Sequence, residues 1–290
     1  MTPSGATAGL GLLSSASWGA SDFAGGIGSR RAPALLVTLT GQIFSFLVLL
    51  AVCLALHIAQ PGAKLIAYAA VAGFLASLAL AMFYTALAMG PMGLTAAVTG
   101  LLTALIPVLF SAYKYGLPTP LTGLGLITGC VAIWLITHQP LESRDSANAA
   151  VHRKALALGA LAGVCFGTQL TLLKFAGEGG ALWVMTTSRA AGVASLLLVL
   201  LFRHERKKSQ GQKAHGYVLI GAFAGSLDTI GVLIYLRASQ LGRLDVAAVT
   251  SSLYPAFTIL LSALILRERP TVRQFAGMAL ALAAVMLLSA

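Results

Sequence analysis

The chain has 290 residues, of which 58% are hydrophobic and only 9% are charged. A soluble domain of ordinary composition carries about 25% charged residues, so a soluble globular protein is excluded and a membrane protein with many spans is indicated. The net charge of +11 does not indicate nucleic-acid binding. The Lys and Arg residues cluster in short gaps between apolar segments, where the positive-inside rule places them.

Ten apolar segments approach the length of about 20 residues with which an α-helix crosses a lipid bilayer. They predict an all-α membrane protein with ten transmembrane helices. Between the fifth and sixth segments, residues 138–154 are polar and predict a linker, and residues 203–213 predict a basic, solvated loop. The segments cover residues 5–28, 34–58, 65–89, 93–113 and 119–137, then 155–176, 181–202, 217–240, 244–266 and 271–289.

The second half of the chain repeats features of the first in the same order, at offsets of 148 to 151 residues. Chance explains any single match in a chain rich in Ala, Leu and Gly, but not the common order. Each repeat holds five helices, and because five is odd, the second repeat must enter the membrane inverted. We therefore predict a first repeat at residues 1–140, a linker at 141–154 and a second repeat at 155–290. The matches include Trp18 with Phe166, Gly73 with Gly221, Tyr84 with Tyr235, Thr99 with Thr250, and Pro107 with Pro255.

Three charged residues lie deep inside predicted spans: Asp22, Arg189 and Asp228. Lys174 and Arg237 lie close enough to helix ends for their charged groups to reach the membrane surface. Each of the three deep charges costs at least about 2.5 to 3.5 kcal/mol at a helix centre, so each needs a partner or a watery cavity. A structural ion pair and a functional polar cavity both explain them. The cavity hypothesis adds further polar and aromatic residues as substrate-binding candidates: Trp18, Tyr84, Gln169, Tyr235, Ser251 and Tyr254.

Helical spacing places several of these candidates on two stripes that we expect to face the protein interior. Small residues on the same stripes let helix backbones approach closely in lipid. One stripe lies on the first helix and the other on the eighth: Gly11, Ser15, Trp18, Gly19 and Asp22, and Gly225, Asp228, Val232 and Tyr235.

The last predicted hairpin carries a set of residues in a recognisable order: Pro255, the turn Arg267-Glu268-Arg269, Gln274 and Gly277. This set resembles the closing signature of an EamA-type domain, the repeat unit of the drug/metabolite transporter superfamily. The resemblance implies a transporter of the bacterial inner membrane that exports amino acids or similar small metabolites. It also implies a pathway between helices one to four and six to nine. The first hairpin departs from the pattern, because Pro120 stands where the offset of 148 places Glu268.

No catalytic or metal-binding pattern stands beside these features, so we predict neither an enzyme nor a bound cofactor or metal. The five histidines fall in or beside loops without ligand spacing, and the three cysteines lie in apolar runs. A Gly-rich phosphate loop with Lys and Ser or Thr is absent from the sequence, so transport must be secondary.

The substrate stays open at this stage. Asp22 favours a drug or quaternary cation, whereas Arg189 favours a substrate with a carboxylate. A nucleotide-sugar or lipid-linked-sugar carrier and a non-transporting membrane subunit are further alternatives. A carboxylate in a medium of low dielectric binds a proton more readily, which makes Asp22 and Asp228 candidates for proton coupling. The expected partners are thus a small molecule, the lipid bilayer and a proton, with no nucleic acid, and the sequence does not distinguish a monomer from a homo-oligomer.

The distribution of Lys and Arg predicts the orientation of the chain. The loops on the side of the two termini carry five of these residues, and the loops on the opposite side carry thirteen. Both termini are therefore expected outside the cell.

Overall fold

The computed structural model describes residues 3–89, 92–137, 146–202, 214–265 and 271–289. These residues form eleven α-helices and one turn of 3-10 helix at Gly177–Gly179, with no strand among them. The helices are α1 (Pro3–Arg31), α2 (Ala34–Ala55), α3 (Ala63–Met89), α4 (Met92–Tyr115), α5 (Pro120–Thr137), α6 (Ser146–Ala176), α7 (Ala181–Phe202), α8 (Ala214–Leu241), α9 (Leu244–Ser251), α10 (Tyr254–Ile265) and α11 (Val272–Ser289).

Seven helical stretches among the described residues are long and apolar enough to cross a membrane. They confirm an all-α, multi-pass membrane protein. The first helix is outside this set although it has 29 residues, because its many Gly and Ser residues and Asp22 lower its hydropathy. The count of ten spans stays a prediction. The seven stretches are residues 34–55, 63–89, 98–115, 153–176, 181–201, 218–241 and 244–265.

The structure differs from the predicted segments in two places. The ninth segment is not one continuous helix, because α9 ends at Ser251 and α10 begins at Tyr254. Pro255 has no backbone N–H to donate to the Ser251 carbonyl, which explains the break. Residues 146–154 are helical and belong to α6, although the predicted linker included them. The rest of that linker, the basic loop at 203–213 and the turn at 267–269 lie outside the described residues.

The packing of the helices follows a regular pattern across the two halves of the chain. The most extensive contact joins α1 to α8, and a nearly equal one joins α3 to α6. In the predicted repeat, α1, α2 and α3 correspond to α6, α7 and α8, and α4 corresponds to α9 and α10. The contact of α1 with α8 therefore corresponds to the contact of α6 with α3. The contact of α4 with α6 matches that of α1 with α9 and α10, and the contact of α3 with α7 matches that of α2 with α8.

A ladder of side-chain hydrogen bonds holds α1 against α8. The hydroxyl groups of Ser14, Ser17 and Ser21 donate to three backbone carbonyls of α8 over 2.7 to 2.8 Å. Their spacing of three and four residues puts them on one face of α1. Interhelical bonds of this kind contribute about 0.6 kcal/mol each in a membrane protein. Burial of Ser15 and Asp22 on α1, and of Val232 and Tyr235 on α8, confirms that both predicted stripes face the interior.

We expect Gly225→Ala to destabilise the protein by about 1 to 3 kcal/mol, the usual cost of overpacking. A Cβ atom at residue 225 would lie 2.5 Å from the Cα of Gly41, so the backbones of α2 and α8 would have to separate. Thermal unfolding in detergent measures the effect. Gly9→Ala on α1 is the matched control, because a Cβ there meets nothing within 4 Å. Equal melting temperatures for the two variants would contradict the prediction.

Candidate functional site

A cavity with an empty volume of about 600 Å³ lies in the middle of the helix bundle. Eight helices contribute side chains to it, namely α1 to α4, α6 to α8 and α10. Trp18 and Asp228, which line it, lie close to the midpoints of α1 and α8. The cavity is therefore central to the bundle and is shared by both halves of the chain.

An ion pair forms one part of the cavity lining. The Nη1 atom of Arg189 lies 2.7 Å from the Oδ2 atom of Asp228 and donates a hydrogen bond of 3.1 Å to Gln42 Oε1. The structural ion pair that the sequence left open is thus present between α7 and α8.

Two hydrogen-bond donors of the Arg189 guanidinium have no partner among the described residues. Arg189 is 4% exposed, and the two donors are its Nε and Nη2 atoms. A buried donor without an acceptor costs about 1 to 3 kcal/mol. A ligand that carries a carboxylate would supply the missing acceptors in the bidentate geometry that arginine favours.

Asp22 lines the same cavity and is 7% exposed. No described residue forms an ion pair or a hydrogen bond with its carboxylate. Since Arg189 is already paired with Asp228, an ionised Asp22 would leave the described part of the cavity with one uncompensated negative charge. A buried carboxylate in this position requires a proton or a cationic ligand.

Aromatic rings surround the polar groups. The ring of Trp18 lies 5.9 Å from that of Tyr235 and meets Tyr254 edge-on at 6.5 Å. The indole N–H of Trp18 donates to the backbone carbonyl of Asp228 over 3.3 Å, which ties α1 to α8 beside the ion pair. Phe83 packs edge-on against Tyr254 at 6.3 Å and against Phe166 at 6.2 Å.

The nine residues predicted to bind substrate fall into two groups. Six line the central cavity: Trp18, Asp22, Gln169, Arg189, Asp228 and Tyr254. The other three do not line it. Tyr84 donates to the Ser21 carbonyl at 3.4 Å, Tyr235 donates to the Leu170 carbonyl at 3.2 Å, and Ser251 is fully buried. A binding role for any of the nine stays a prediction.

Sequence analysis missed Gln42, Thr103 and Ser188, which also line the cavity. Gln42 could have been found from the sequence, because a side-chain amide in the middle of the apolar run 34–58 is costly in lipid unless it has a hydrogen-bond partner. The predicted site included the amide of Gln169 but not that of Gln42. Thr103 and Ser188 carry no such signal, since a hydroxyl group in a membrane helix bonds to the preceding turn of its own helix.

A smaller cavity of about 200 Å³ adjoins the central one and shares Gln42, Leu80 and Asp228 with it. It extends toward the N-terminal ends of α2 and α8, as far as Thr38 and Gly221. In the chain, α2 follows Arg30 and Arg31, and α8 follows the predicted basic loop at 203–213. The small cavity therefore lies between Asp228 and the helix ends that adjoin these basic segments.

Comparison with known proteins gives matches of three kinds. The model of the EamA-like transporter family matches residues 153–290. An uncharacterized protein of Methanocaldococcus jannaschii is 30% identical over 135 residues, which are 47% of this chain and 96% of that protein. A crystal structure of another protein matches with a TM-score of 0.69 and 18% sequence identity, over 97% of this chain and 95% of that chain. The last match shows a shared fold across nearly the whole chain.

Proposed function

Because the chain belongs to the EamA-like transporter family, we propose that it is a secondary transporter that exports amino acids or similar small metabolites by alternating access. One observation carries the proposal: Arg189, which has two buried donors without described partners, and Asp22, which has no described ion-pair partner, line the same cavity. An amino acid carries the two complementary groups, a carboxylate and an ammonium.

We infer that the chain consists of two inverted repeats of five helices. The matched helix contacts support this inference, since each major contact has a counterpart in the other half. The family model covers the second half, and the archaeal relative has about the length of one half. Transporters of this architecture bind substrate near the bilayer midplane, between the repeats.

A drug or quaternary-cation exporter is the second candidate function. The surplus negative charge at Asp22 favours it, because a cation there would make the cavity neutral. A nucleotide-sugar or lipid-linked sugar would bring a diphosphate. The one cationic side chain that lines the described cavity already has Asp228 as a partner. A non-transporting subunit would not need these buried charges.

Transport by the purified protein in proteoliposomes tests the proposal. Uptake and efflux of twenty labelled amino acids, a quaternary ammonium compound and a nucleotide-sugar are compared, each with and without a pH gradient. We expect movement of amino acids at least tenfold above that in liposomes without protein. Movement of the quaternary cation alone would favour the cation exporter over the amino-acid exporter. No movement of any compound would overturn both functions.

We further propose that the protein resides in the bacterial inner membrane with both termini outside, from the excess of Lys and Arg in the loops of the opposite side. A reporter that fluoresces only in the cytoplasm is expected to stay dark when fused after Ala290. The same reporter inserted in the loop at 203–213 is the positive control and is expected to be bright. A bright reporter after Ala290 together with a dark one in the loop would show that both termini are in the cytoplasm.

A further inference from the structure

The repeat relation extends to the side chains that line the central cavity. At the offset of 148, residues of the first half pair with residues of the second, and both members of each pair line the cavity. Two of the pairs set a carboxylate against a leucine. The pairs are Trp18 with Phe166, Asp22 with Leu170, and Leu80 with Asp228.

The positions of these pairs give the cavity two unlike walls. Asp22 and Asp228 stand on α1 and α8, which pack against each other. Their counterparts Leu170 and Leu80 stand on α6 and α3, which form the matching helix pair. One wall therefore holds both carboxylates, beside Trp18 and Val232. The other wall carries leucine side chains, and Gln169 is its one uncharged polar side chain among the described lining residues. Phe83 and Phe166 extend that second wall, with their rings 6.2 Å apart.

Arg189 and Gln42 come from another matched pair of helices, α7 and α2. They are related by an offset of 147, the same offset that relates the bounds of their helices, and they bond to each other across the repeat boundary at 3.1 Å. The guanidinium thus sits where the halves meet, with Nε and Nη2 lacking partners among described residues. A substrate carboxylate at Arg189 would be adjacent to both walls of the cavity.

We propose that the site takes a zwitterionic amino acid with a large apolar side chain, bound in one orientation. This proposal rests on the proposed function and narrows its substrate class. The carboxylate of the substrate accepts hydrogen bonds from Arg189, and its ammonium group binds Asp22 on the α1 and α8 wall. The side chain covers Leu80 and Leu170 on the α3 and α6 wall. Two identical polar walls would allow a ligand to bind in either of two orientations. Unlike walls bind the charged end and the apolar end of the ligand at different places and so favour one orientation.

Four compounds that differ by one group each test these contacts. Countertransport of labelled L-phenylalanine into proteoliposomes is measured in competition with unlabelled L-phenylalanine, L-alanine, phenethylamine and 3-phenylpropionate. Alanine lacks the ring, phenethylamine lacks the carboxylate, and 3-phenylpropionate lacks the ammonium group. We expect each to compete at least about tenfold more weakly than phenylalanine, because each leaves one wall or one charged group without a partner.

The outcomes separate the two proposals. Transport of other amino acids without phenylalanine, or alanine that competes as well as phenylalanine, would overturn the two-wall assignment and leave the proposed function standing. Phenethylamine that competes as well as phenylalanine would overturn the role of Arg189. No transport of any amino acid would overturn the proposed function itself.

Leu170→Ala tests the apolar wall directly, and we expect it to lower the preference for phenylalanine over alanine at least about fivefold. Leu173→Ala is the matched control, since Leu173 is an equally buried leucine on α6 that does not line the cavity. Both variants lose buried volume, so similar melting temperatures are expected. A preference unchanged in Leu170→Ala, or lowered equally in both variants, would overturn the assignment.

Discussion

Arg189→Gln alone is expected to destabilise the protein by about 3 to 5 kcal/mol, because it leaves Asp228 as a buried charge without its partner. The two groups lie 2.7 Å apart, with side chains 5% and 18% exposed. Adding Asp228→Asn should restore most of the lost stability, since an uncharged pair leaves no orphan charge. Thermal unfolding of the purified single and double variants measures both effects.

Transport by the folded double variant then separates structure from function. If Arg189 binds the substrate carboxylate, the double variant should fold and yet lose at least about a hundredfold in transport. Arg237→Gln is the control, because Arg237 is an exposed residue of α8 and should affect neither stability nor transport. A double variant that transports like the parent would show that the pair is structural and would remove Arg189 from the binding site.

The sequence was sufficient to predict an all-α, multi-pass membrane protein with three charged residues deep in its helices, because both follow from the cost of polar groups in lipid. It did not decide between a structural pair and a binding site. The structure contains elements of both, since Nη1 of Arg189 faces Asp228 and Gln42 while Nε and Nη2 face no described acceptor. Such a division within one guanidinium depends on how α2, α7 and α8 pack, which no local pattern encodes.

The apolar wall shows another limit of sequence reasoning. Leu80 and Leu170 are ordinary leucines in apolar helices, and hydropathy does not distinguish a leucine that lines a cavity from one that faces lipid. The repeat does distinguish these two leucines, because at the offset of 148 Leu80 is equivalent to Asp228 and Leu170 is equivalent to Asp22. The break before Pro255 was likewise visible as a proline inside an apolar run, and the predicted continuous segment at 244–266 ignored it.

We expect Asp22→Asn to fold normally and to lose the response of transport to a pH gradient. Asp22 has no ion-pair partner among the described residues, so its replacement removes an uncompensated charge instead of creating one. The expected loss rests on the proposal that, in the parent, a proton neutralises Asp22 after the ammonium group of the substrate leaves. The ionisable groups nearest to this exchange are Asp228 and Arg189, already paired with each other, and the hydroxyls of Tyr84 and Tyr254.

The size of the effect follows from the exchange of one proton for one substrate. A gradient of one pH unit corresponds to about 1.4 kcal/mol per proton, which sustains about a tenfold ratio of substrate across the membrane. Efflux of a preloaded substrate from proteoliposomes with an acidic exterior should therefore accumulate it outside in the parent. In Asp22→Asn, which also lacks the carboxylate proposed to bind the ammonium group, efflux should be slower and the outside-to-inside ratio should not exceed one.

Asp245→Asn serves as the comparison, because Asp245 is a buried aspartate that pairs with Arg243 at 2.8 Å and does not line the cavity. It should retain the tenfold ratio even if its melting temperature falls, since the loss of a structural pair weakens the fold without removing the proton site. A parent that ignores the pH gradient, together with an Asp22→Asn variant of unchanged activity, would exclude proton coupling through Asp22.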